Sequence, residues 1–241
     1  MPVLLELAGV SKCYGALKAT DNLSLTVAEG EALGVIGPNG AGKSTMFNLV
    51  TGDVAPDAGR VIFAGTDITA LPAHARSRLG IGRSYQIPQP FTNMTVFENL
   101  LVGAIFGGRQ RERESYERCA QVLEVTELIS RANVPARTLT LLQRKRLELA
   151  RALALNPKLL LLDEIAGGLT EHETHALIDT IRAIHARGTT IVWIEHIVHA
   201  LVSIASRLVV MNFGQKLADG PPQTVIADAR VKEVYMGIPA A

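Results

Sequence analysis

The chain has 241 residues, 48% of them hydrophobic and 20% charged, which allows a core of real size in one large domain or two small ones. Lys and Arg number 24 against 23 for Asp and Glu, so no excess charge draws nucleic acid or anionic lipid. The two cysteines, Cys13 and Cys119, are far apart and fit no metal spacing, which favours free thiols in a reducing cytosol. We find no signal peptide and no apolar run near the ~18 residues of a membrane span, so we expect that the chain does not cross a membrane by itself.

The first section, up to about Thr69, predicts short strands around a glycine-rich loop. Alternating apolar residues are typical of strands, some of them antiparallel, and they occur at 4–7, 23–27 and 60–65. Ala32–Ile36 is a short apolar run bounded by turn residues, which indicates a buried strand. A helix is predicted from Thr45 to near Gly52, so the intervening loop has a strand before it and a helix after it.

The loop itself fits the pattern G-x-x-x-x-G-K-[ST], which binds the phosphates of nucleoside triphosphates. We call residues 37–45 the phosphate loop; they are Gly37, Pro38, Asn39, Gly40, Ala41, Gly42, Lys43, Ser44 and Thr45. The glycines let successive backbone N–H groups point at phosphate oxygens. Lys43 can place a positive charge against the β- and γ-phosphates, and Ser44 can offer a hydroxyl to Mg²⁺. The helix after the loop adds an N-terminal dipole that also favours anions.

The middle of the chain predicts a helical insertion, from about Ile87 to Asn156. A strand over 80–85 ends at Gln86, just where this section begins. Apolar residues then recur at helical spacing in three segments, 96–106, 112–130 and 143–155. Prolines break the pattern, as expected between helices, at 88, 90 and 135.

The last section returns to strands and helices in alternation, which predicts an α/β fold with a parallel sheet. Apolar strands are predicted at 158–162, 190–194 and 208–211. An amphipathic helix over 171–187 lies between the first two strands and is closed by Gly188.

Several polar side chains follow predicted strands, so they would reach the sheet edge at which phosphate loops lie. Asp163 and Glu164 end one apolar strand, where Asp163 would hold Mg²⁺ and Glu164 would polarise an attacking water; a solvated acidic turn is the alternative. His196 follows the next strand and could hold that water in line, with a structural histidine as the alternative. Gln86 can reach metal or water. Tyr14 could stack on an adenine ring or simply pack on an edge strand.

Together these motifs resemble the ATP-binding subunits of ATP-binding-cassette (ABC) transporters over nearly the whole chain. The phosphate loop matches the Walker A motif, and residues 159–164 match the Walker B motif. Gln86 stands at the Q-loop, His196 at the switch histidine and Tyr14 at the adenine-stacking position. The signature loop, which faces the ATP of a partner subunit in this family, corresponds to Thr140, Leu141, Leu142 and Gln143.

The resemblance implies a P-loop NTPase (RecA-like) core with a mostly parallel sheet, an N-terminal antiparallel β subdomain and a helical insertion. It implies one ABC ATPase domain over 1–241, with the core in 1–86 and 157–241 and the signature loop in a helical subdomain over 87–156. ATP and Mg²⁺ are the implied cofactors. The catalytic residues implied are Lys43, Gln86, Glu164 and His196, and the metal ligands are Ser44, Gln86 and Asp163.

Four stretches resemble the branch that transports branched-chain amino acids, namely 83–86, 94–102, 163–169 and 231–237. This implies an ATPase that powers import of such an amino acid or a similar small solute. Implied partners are a second ABC ATPase subunit in a homo- or heterodimer, transmembrane permease subunits and, indirectly, a solute-binding protein, but no nucleic acid. The chain would lie on the cytoplasmic side of the plasma (inner) membrane, held there by the permease. Two alternatives stay open: a regulatory subunit that binds ATP and hydrolyses little, and a soluble ABC ATPase without a transporter.

The signature departs from the family pattern L-S-G-G-Q, because Leu141 and Leu142 stand at both glycine positions. Thr140 can still cap the helix, but two branched side chains occupy a place that needs close backbone approach. In a heterodimer we therefore expect slow hydrolysis of the partner's ATP and efficient hydrolysis at this chain's own site, whereas a homodimer would have two impaired sites. Ile165 also replaces a usual proline, and Thr170 stands near the position of a missing aspartate.

Three further features are given structural rather than functional interpretations. The basic run at 144–146 is interpreted as a charged helix face rather than a nucleic-acid contact. His172 and His175 have a spacing one residue short of a zinc-protease helix motif, so both are expected to be exposed helix residues. Trp193 lies within an apolar strand and is expected in the core.

Overall fold

A computed structural model describes residues 2–107 and 111–236, and the chain divides into two compact units. The first unit combines the N-terminal segment up to Ala73 with the segment from Thr190 onwards, and the second unit covers His74–Thr189. Gly237, the last residue of the tail that supports the family resemblance, lies outside the described residues. The expected subdomain limits at 87 and 156 stay a prediction.

The secondary-structure elements, numbered along the chain, have the following bounds. The strands are β1 (Val3–Tyr14), β2 (Leu17–Ala28), β3 (Ala32–Ile36), β4 (Ala58–Phe63), β5 (Thr66–Asp67), β6 (Ile81–Arg83), β7 (Leu159–Asp163), β8 (Thr190–Ile194), β9 (Arg207–Asn212) and β10 (Gln215–Gly220). The α-helices are α1 (Lys43–Thr51), α2 (Ala73–Arg78), α3 (Val96–Val102), α4 (Glu112–Val125), α5 (Leu141–Ala154), α6 (Glu171–His185), α7 (Val198–Val202), α8 (Pro222–Ala227) and α9 (Ala229–Met236). A π-helical turn, Gly103–Gly107, continues α3. Two 3₁₀ turns, Ile129–Arg131 and Ala136–Thr138, precede α5.

The first unit contains an antiparallel sheet and a largely parallel one. The antiparallel sheet has the strand order β2-β1-β4-β5. In the other sheet β3 pairs in parallel with both β8 and β9, and β10 pairs antiparallel with β9. All five residues of β3 are buried, as a strand covered on both faces requires, whereas β2 alternates buried and exposed residues as a one-sided strand does. The predicted α/β class with a separate antiparallel part is confirmed.

The second unit is built around α5. This helix packs against the parallel pair β6–β7 and against α3, α4 and α6. Three helices begin with the same device, in which a threonine side chain accepts the N–H three residues on and an acid or amide returns to the threonine N–H. The pairs are Thr95 with Glu98, Thr140 with Gln143, and Thr170 with Glu173. The predicted cap at Thr140 is confirmed, and each helix start is thereby fixed by local sequence.

Several element ends differ from the predictions for local reasons. The helix predicted over 112–130 ends at Val125, because Thr126 bonds back to the Val122 carbonyl and Glu127 takes a left-handed conformation with φ 56°. The helix after the phosphate loop begins at Lys43 rather than Thr45. Trp193 is in the core as predicted. In the part of the chain that the structure describes, no helix is long and apolar enough to cross a bilayer.

The two cysteines lie in opposite environments, which can be tested chemically. Cys13 is exposed on β1, whereas Cys119 on α4 is fully buried, and burial raises the pKa of its thiol to about 11 against the opposing charge of Arg118. Because the thiolate is the reactive species, we expect a thiol reagent at neutral pH to modify one cysteine per native chain and two after denaturation. Cys13→Ser should abolish the native reaction. Two equally fast native reactions would contradict this placement.

Candidate functional site

The phosphate loop connects the buried strand β3 to α1, and two of its positions have backbone conformations that favour glycine. Gly40 and Gly42 take left-handed conformations, with φ 80° and 96°. A Cβ on Gly42 would lie 2.0 Å from the carbonyl oxygen of Ala19, which belongs to β2. The loop therefore packs directly against the antiparallel part of its own unit, with no room for a side chain at Gly42.

Lys43 is held inside this loop. Its residue is 5% exposed, and its Nζ donates hydrogen bonds to the carbonyl oxygens of Gly37 at 2.7 Å and Pro38 at 3.1 Å. The neighbouring Ser44 is exposed at the start of α1. The predicted loop thus presents a fixed ammonium group, an exposed hydroxyl and a helix N-terminus, which together suit a phosphate chain.

His196 leaves the same edge of the sheet as the phosphate loop. Strand β8 pairs in parallel with β3, so that Ile194 lies opposite Val35 and the two strands end together. The N–H of Glu195 reaches the Val35 carbonyl at 3.4 Å, and the exposed His196 follows directly. Its own backbone N–H donates to Glu195 Oε1 at 3.0 Å. The first unit therefore places the predicted histidine at the edge where the loop begins.

Tyr14 ends β1, and its residue is 46% exposed. Lys12 Nζ lies 5.9 Å from the ring centroid, a distance that suits a cation–π contact. The tyrosine is therefore not buried in an edge-strand core, and its ring has a surface on which a base can stack. Its role in adenine binding stays a prediction.

Tyr235 was not assigned a role from the sequence, yet it contacts the phosphate loop. It projects from α9, and its hydroxyl is hydrogen-bonded to the backbone of Gly37. Burial raises the pKa of this phenol to about 12, and the Gly37 bond acts in the opposite direction. The tail in which it lies supported the family resemblance, but no local pattern links a C-terminal tyrosine to the loop.

In the second unit, Asp163 is held by an arginine that the sequence did not single out. Strands β6 and β7 are parallel and end together, with the N–H of Ser84 bonded to the Leu161 carbonyl at 2.9 Å. Arg83 Nη2 lies 2.7 Å from Asp163 Oδ2, and both side chains are less than a tenth exposed. A carboxylate is a ligand type that suits Mg²⁺, and the role of Asp163 towards the metal stays a prediction.

Gln86 and Glu164 are brought into direct contact. Gln86 Nε2 donates to Glu164 Oε2 at 2.7 Å. Glu164 takes a left-handed conformation with φ 46°, which costs about 1 kcal/mol for a residue other than glycine. The two consecutive carboxylates have different partners, since Asp163 pairs with Arg83 and Glu164 accepts from Gln86. The structure thus brings two of the predicted catalytic side chains into contact, and their roles stay a prediction.

The signature segment forms an intact helix start despite its leucines. Gln143 N–H donates to Thr140 Oγ1 at 3.4 Å, and Thr140 N–H donates to Gln143 Oε1 at 3.1 Å. Leu141 is 45% exposed in the first turn, and its Cδ2 lies 3.5 Å from the point that a Cβ on Gly168 would occupy. The leucines therefore change the surface at the end of α5 but leave its capping intact.

The interpretation of the basic run 144–146 as a solvated face was wrong for two of its three residues. Lys145 is 4% exposed and Arg146 is 8% exposed. Lys145 Nζ donates to the carbonyl oxygen of Gln86 at 2.6 Å, and Arg146 forms an ion pair with Glu127 at 2.7 Å. Both charged side chains are buried because other elements of the unit pack around α5. The local sequence gives no sign of this packing.

No cluster of three or more His, Cys, Asp and Glu side chains that could hold a metal occurs within residues 2–107 and 111–236. His172 and His175 are exposed on α6, as predicted. The predicted Mg²⁺ ligands do not need such a cluster, because they comprise one hydroxyl, one amide and one carboxylate, from Ser44, Gln86 and Asp163.

Comparisons with known proteins agree with these motifs. The family model described as "ABC transporter" matches residues 20–167. The high-affinity branched-chain amino acid transport ATP-binding protein BraF of Pseudomonas aeruginosa is 38% identical, over 97% of this chain and 98% of that protein. The Nod factor export ATP-binding protein I of Rhizobium johnstonii is also 38% identical, over 99% of this chain and 76% of that protein. The solved ADP conformation of MJ1267, an ATP-binding cassette of an ABC transporter, superposes with a TM-score of 0.90 at 34% identity, over 99% of this chain and 100% of that one.

The close packing at Gly42 predicts that even one methyl group disables the loop. Gly42→Ala should unfold the loop locally and lower ATP affinity by more than about tenfold, because both φ and the contact with Ala19 oppose the new Cβ. Gly30→Ala is the matched control: its φ is 76° but its Cβ would meet nothing within 4 Å, and it lies at the other end of β3.

Nucleotide titration and urea unfolding of both variants measure the difference. The control should lose about 1 kcal/mol of stability and keep its ATP affinity. Equal ATP affinity in the two variants would show that the contact at Ala19 is not what holds the loop.

Proposed function

We propose that this chain, which belongs to the ABC transporter family, is the ATP-binding and ATP-hydrolysing subunit that powers a transporter for branched-chain amino acids or a similar small solute. The observation that carries the proposal is the phosphate loop, in which Lys43 follows the left-handed Gly40 and Gly42 at the start of α1 and donates a hydrogen bond to the Gly37 carbonyl. The near-full-length similarity to a branched-chain amino acid transport ATP-binding protein supports the choice of solute.

The predicted site residues would have different roles in ATP hydrolysis, according to the chemistry of each side chain. The N–H groups of the phosphate loop and the ammonium of Lys43 bind the phosphates and offset their charge. Ser44, Gln86 and Asp163 would hold Mg²⁺, which supplies positive charge at the phosphate oxygens. Glu164 accepts a hydrogen bond from Gln86, and as an acceptor it would orient and polarise an attacking water.

His196 has the complementary role of a donor. Exposed at the edge where β3 and β8 end, it would donate a hydrogen bond to the γ-phosphate and keep the attacking water in line. Tyr14 would stack on the adenine ring with its exposed face.

The end of α5 is the surface that we assign to a second ATPase subunit. Leu141 is exposed there, and the first N–H groups of a helix have no partner within the helix. These groups would face the partner's ATP, with the side chains of Leu141 and Leu142 restricting their approach. In a heterodimer the partner's ATP would then be hydrolysed slowly, whereas the ATP on this chain would meet the partner's own signature loop.

Further partners follow from the same proposal. Transmembrane permease subunits would hold the chain on the cytoplasmic side of the inner membrane and would receive the work of ATP hydrolysis. A solute-binding protein would act indirectly, through the permease. Co-purification with a membrane protein after gentle solubilisation tests this against a soluble ABC ATPase that serves no transporter.

Export is a second candidate direction of transport. It is favoured by the similarity to the Nod factor export protein. That protein is as identical to this chain as BraF is, at 38%, but the match covers 76% of its length against 98% of BraF. Uptake of labelled leucine by vesicles that contain the whole transporter separates the two. ATP-dependent accumulation inside right-side-out vesicles supports import, and ATP-dependent loss supports export.

Removing the acceptor at Glu164 tests the enzymatic part of the proposal. Glu164→Gln should lower steady-state ATP hydrolysis by about 100-fold or more and leave ATP affinity within a fewfold of the parent, because the amide cannot take a proton from water. Glu171→Gln, which changes an exposed acid in the first turn of α6, is the control and should keep full activity. A Glu164→Gln variant as active as the parent would remove Glu164 from the mechanism.

The leucines can be tested by restoring space at the signature loop. Leu141→Gly/Leu142→Gly should hydrolyse ATP several-fold faster than the parent if the branched side chains obstruct the partner's ATP. Leu141→Ala/Leu142→Ala separates the loss of bulk from the gain of backbone freedom, and the Thr140 cap remains in both variants. Unchanged rates in both double variants would refute the asymmetry and favour a functional homodimer.

A further inference from the structure

The segment that carries Gln86 is held by side chains of α5 rather than by secondary structure. Between Arg83 and Val96 the chain forms neither a helix nor a strand ladder, and it contains two prolines that lack an N–H. We call residues 85–91 the Gln86 segment. Its backbone groups therefore need partners from elsewhere. Asn99 of α3 bonds both backbone groups of Phe91, and α5 bonds the segment before it.

Three residues one helical turn apart on α5 contact this segment. Lys145 Nζ donates to the Gln86 carbonyl at 2.6 Å, and Arg151 Nη1 donates to the Gln89 carbonyl at 2.9 Å. Between them, the Glu148 carboxylate accepts hydrogen bonds from the backbone N–H groups of Tyr85 and Gln89. A spacing of three residues places all three side chains along one face of the helix.

Glu148 is the central member of this set. Its residue is only 4% exposed, and Arg151 Nη1 donates to its Oε2 at 3.1 Å. Burial raises the pKa of the Glu148 carboxyl, while Arg151 and the two backbone N–H groups oppose that shift. A carboxylate in this position is costly unless it is paired and hydrogen-bonded, and Glu148 has both Arg151 and the backbone N–H groups of the Gln86 segment as partners.

The two N–H groups that Glu148 accepts lie on either side of Gln86. One acceptor therefore fixes the backbone before and after this residue, while Lys145 fixes the carbonyl of Gln86 itself. At its other end, the Gln86 side chain donates to Glu164 at 2.7 Å. A continuous series of contacts thus runs from α5 through Gln86 to the predicted catalytic carboxylate.

We propose that Glu148, supported by Lys145, is a positioning residue that fixes the Gln86 segment on α5 and thereby places Gln86 against Glu164. The inference rests on the proposed ATPase function and extends it to residues to which we assign no contact with ATP or with the attacking water. Because α5 begins at the signature loop, a displacement of that helix end would reach Gln86 through the side-chain hydrogen bonds of α5 rather than through a flexible linker.

Glu148→Gln tests this directly, since it keeps the shape of the side chain but removes its charge and one acceptor oxygen. We expect kcat for ATP to fall about tenfold with KM within twofold of the parent, because an orienting contact is lost and phosphate binding is not. Glu127→Gln is the matched control: it also breaks an ion pair to a buried cation of α5, Arg146, but does not touch the Gln86 segment. It should keep the parental kcat.

A double variant separates positioning from general destabilisation. If Glu148 acts through Gln86, then adding Glu148→Gln to Gln86→Ala should lower kcat no further than Gln86→Ala alone. Multiplicative losses in the double variant would overturn the inference, as would a folded Glu148→Gln variant with parental kcat. If Glu148→Gln does not fold, Lys145→Gln provides the same tests through the Gln86 carbonyl.

Hydrogen exchange gives a readout that does not depend on hydrolysis. Peptides that cover the Tyr85 and Gln89 amides should exchange at least about tenfold faster in Glu148→Gln than in the parent or in Glu127→Gln. Unchanged exchange would refute the positioning role even if the parent is an active ATPase. A parent without ATPase activity would refute the proposed function, and the exchange result would still decide whether Glu148 holds the segment.

Discussion

The constraint on which the first unit depends is the need to expose backbone N–H groups in a concave loop next to a buried strand. Such a loop requires left-handed residues, and the contact of Gly42 with the Ala19 carbonyl leaves no room for a side chain. The fully buried β3 holds the start of the loop, and its parallel pairing with β8 brings His196 to the same edge. The backbone pairing of β3 with β8 is therefore enough to bring the phosphate loop and His196 to one edge of the sheet.

In the second unit the main constraint is that charged side chains are buried and need partners. Arg83 neutralises Asp163, and Arg151 with two backbone N–H groups satisfies Glu148. Buried charges arranged in this way contribute little net stability, but breaking one pair leaves the other charge unpaired at a cost of about 3–5 kcal/mol. These pairs therefore restrict the geometry of Asp163 and Glu148 more than they stabilise the fold.

The signature segment shows that a departure from a family pattern need not disrupt local structure. Thr140 and Gln143 form a reciprocal cap that fixes the start of α5 whether glycine or leucine follows. What the leucines change is the surface beyond the cap, where Leu141 is exposed. The departure from the family pattern therefore affects which groups can approach the start of α5. Further along the same helix lie the side chains that hold the Gln86 segment.

The sequence by itself determined the phosphate loop, the buried strands and the cap at Thr140, because each depends on neighbouring residues and on local hydrogen bonds. It also predicted that Gln86 and Glu164 belong to a nucleotide site, but it did not predict their contact with each other. Only the tertiary structure showed that Lys145 and Glu148 point inwards and that Tyr235 reaches the phosphate loop. A run of charges looks the same whether its helix faces water or protein, since burial is decided by elements that pack against it from distant parts of the chain.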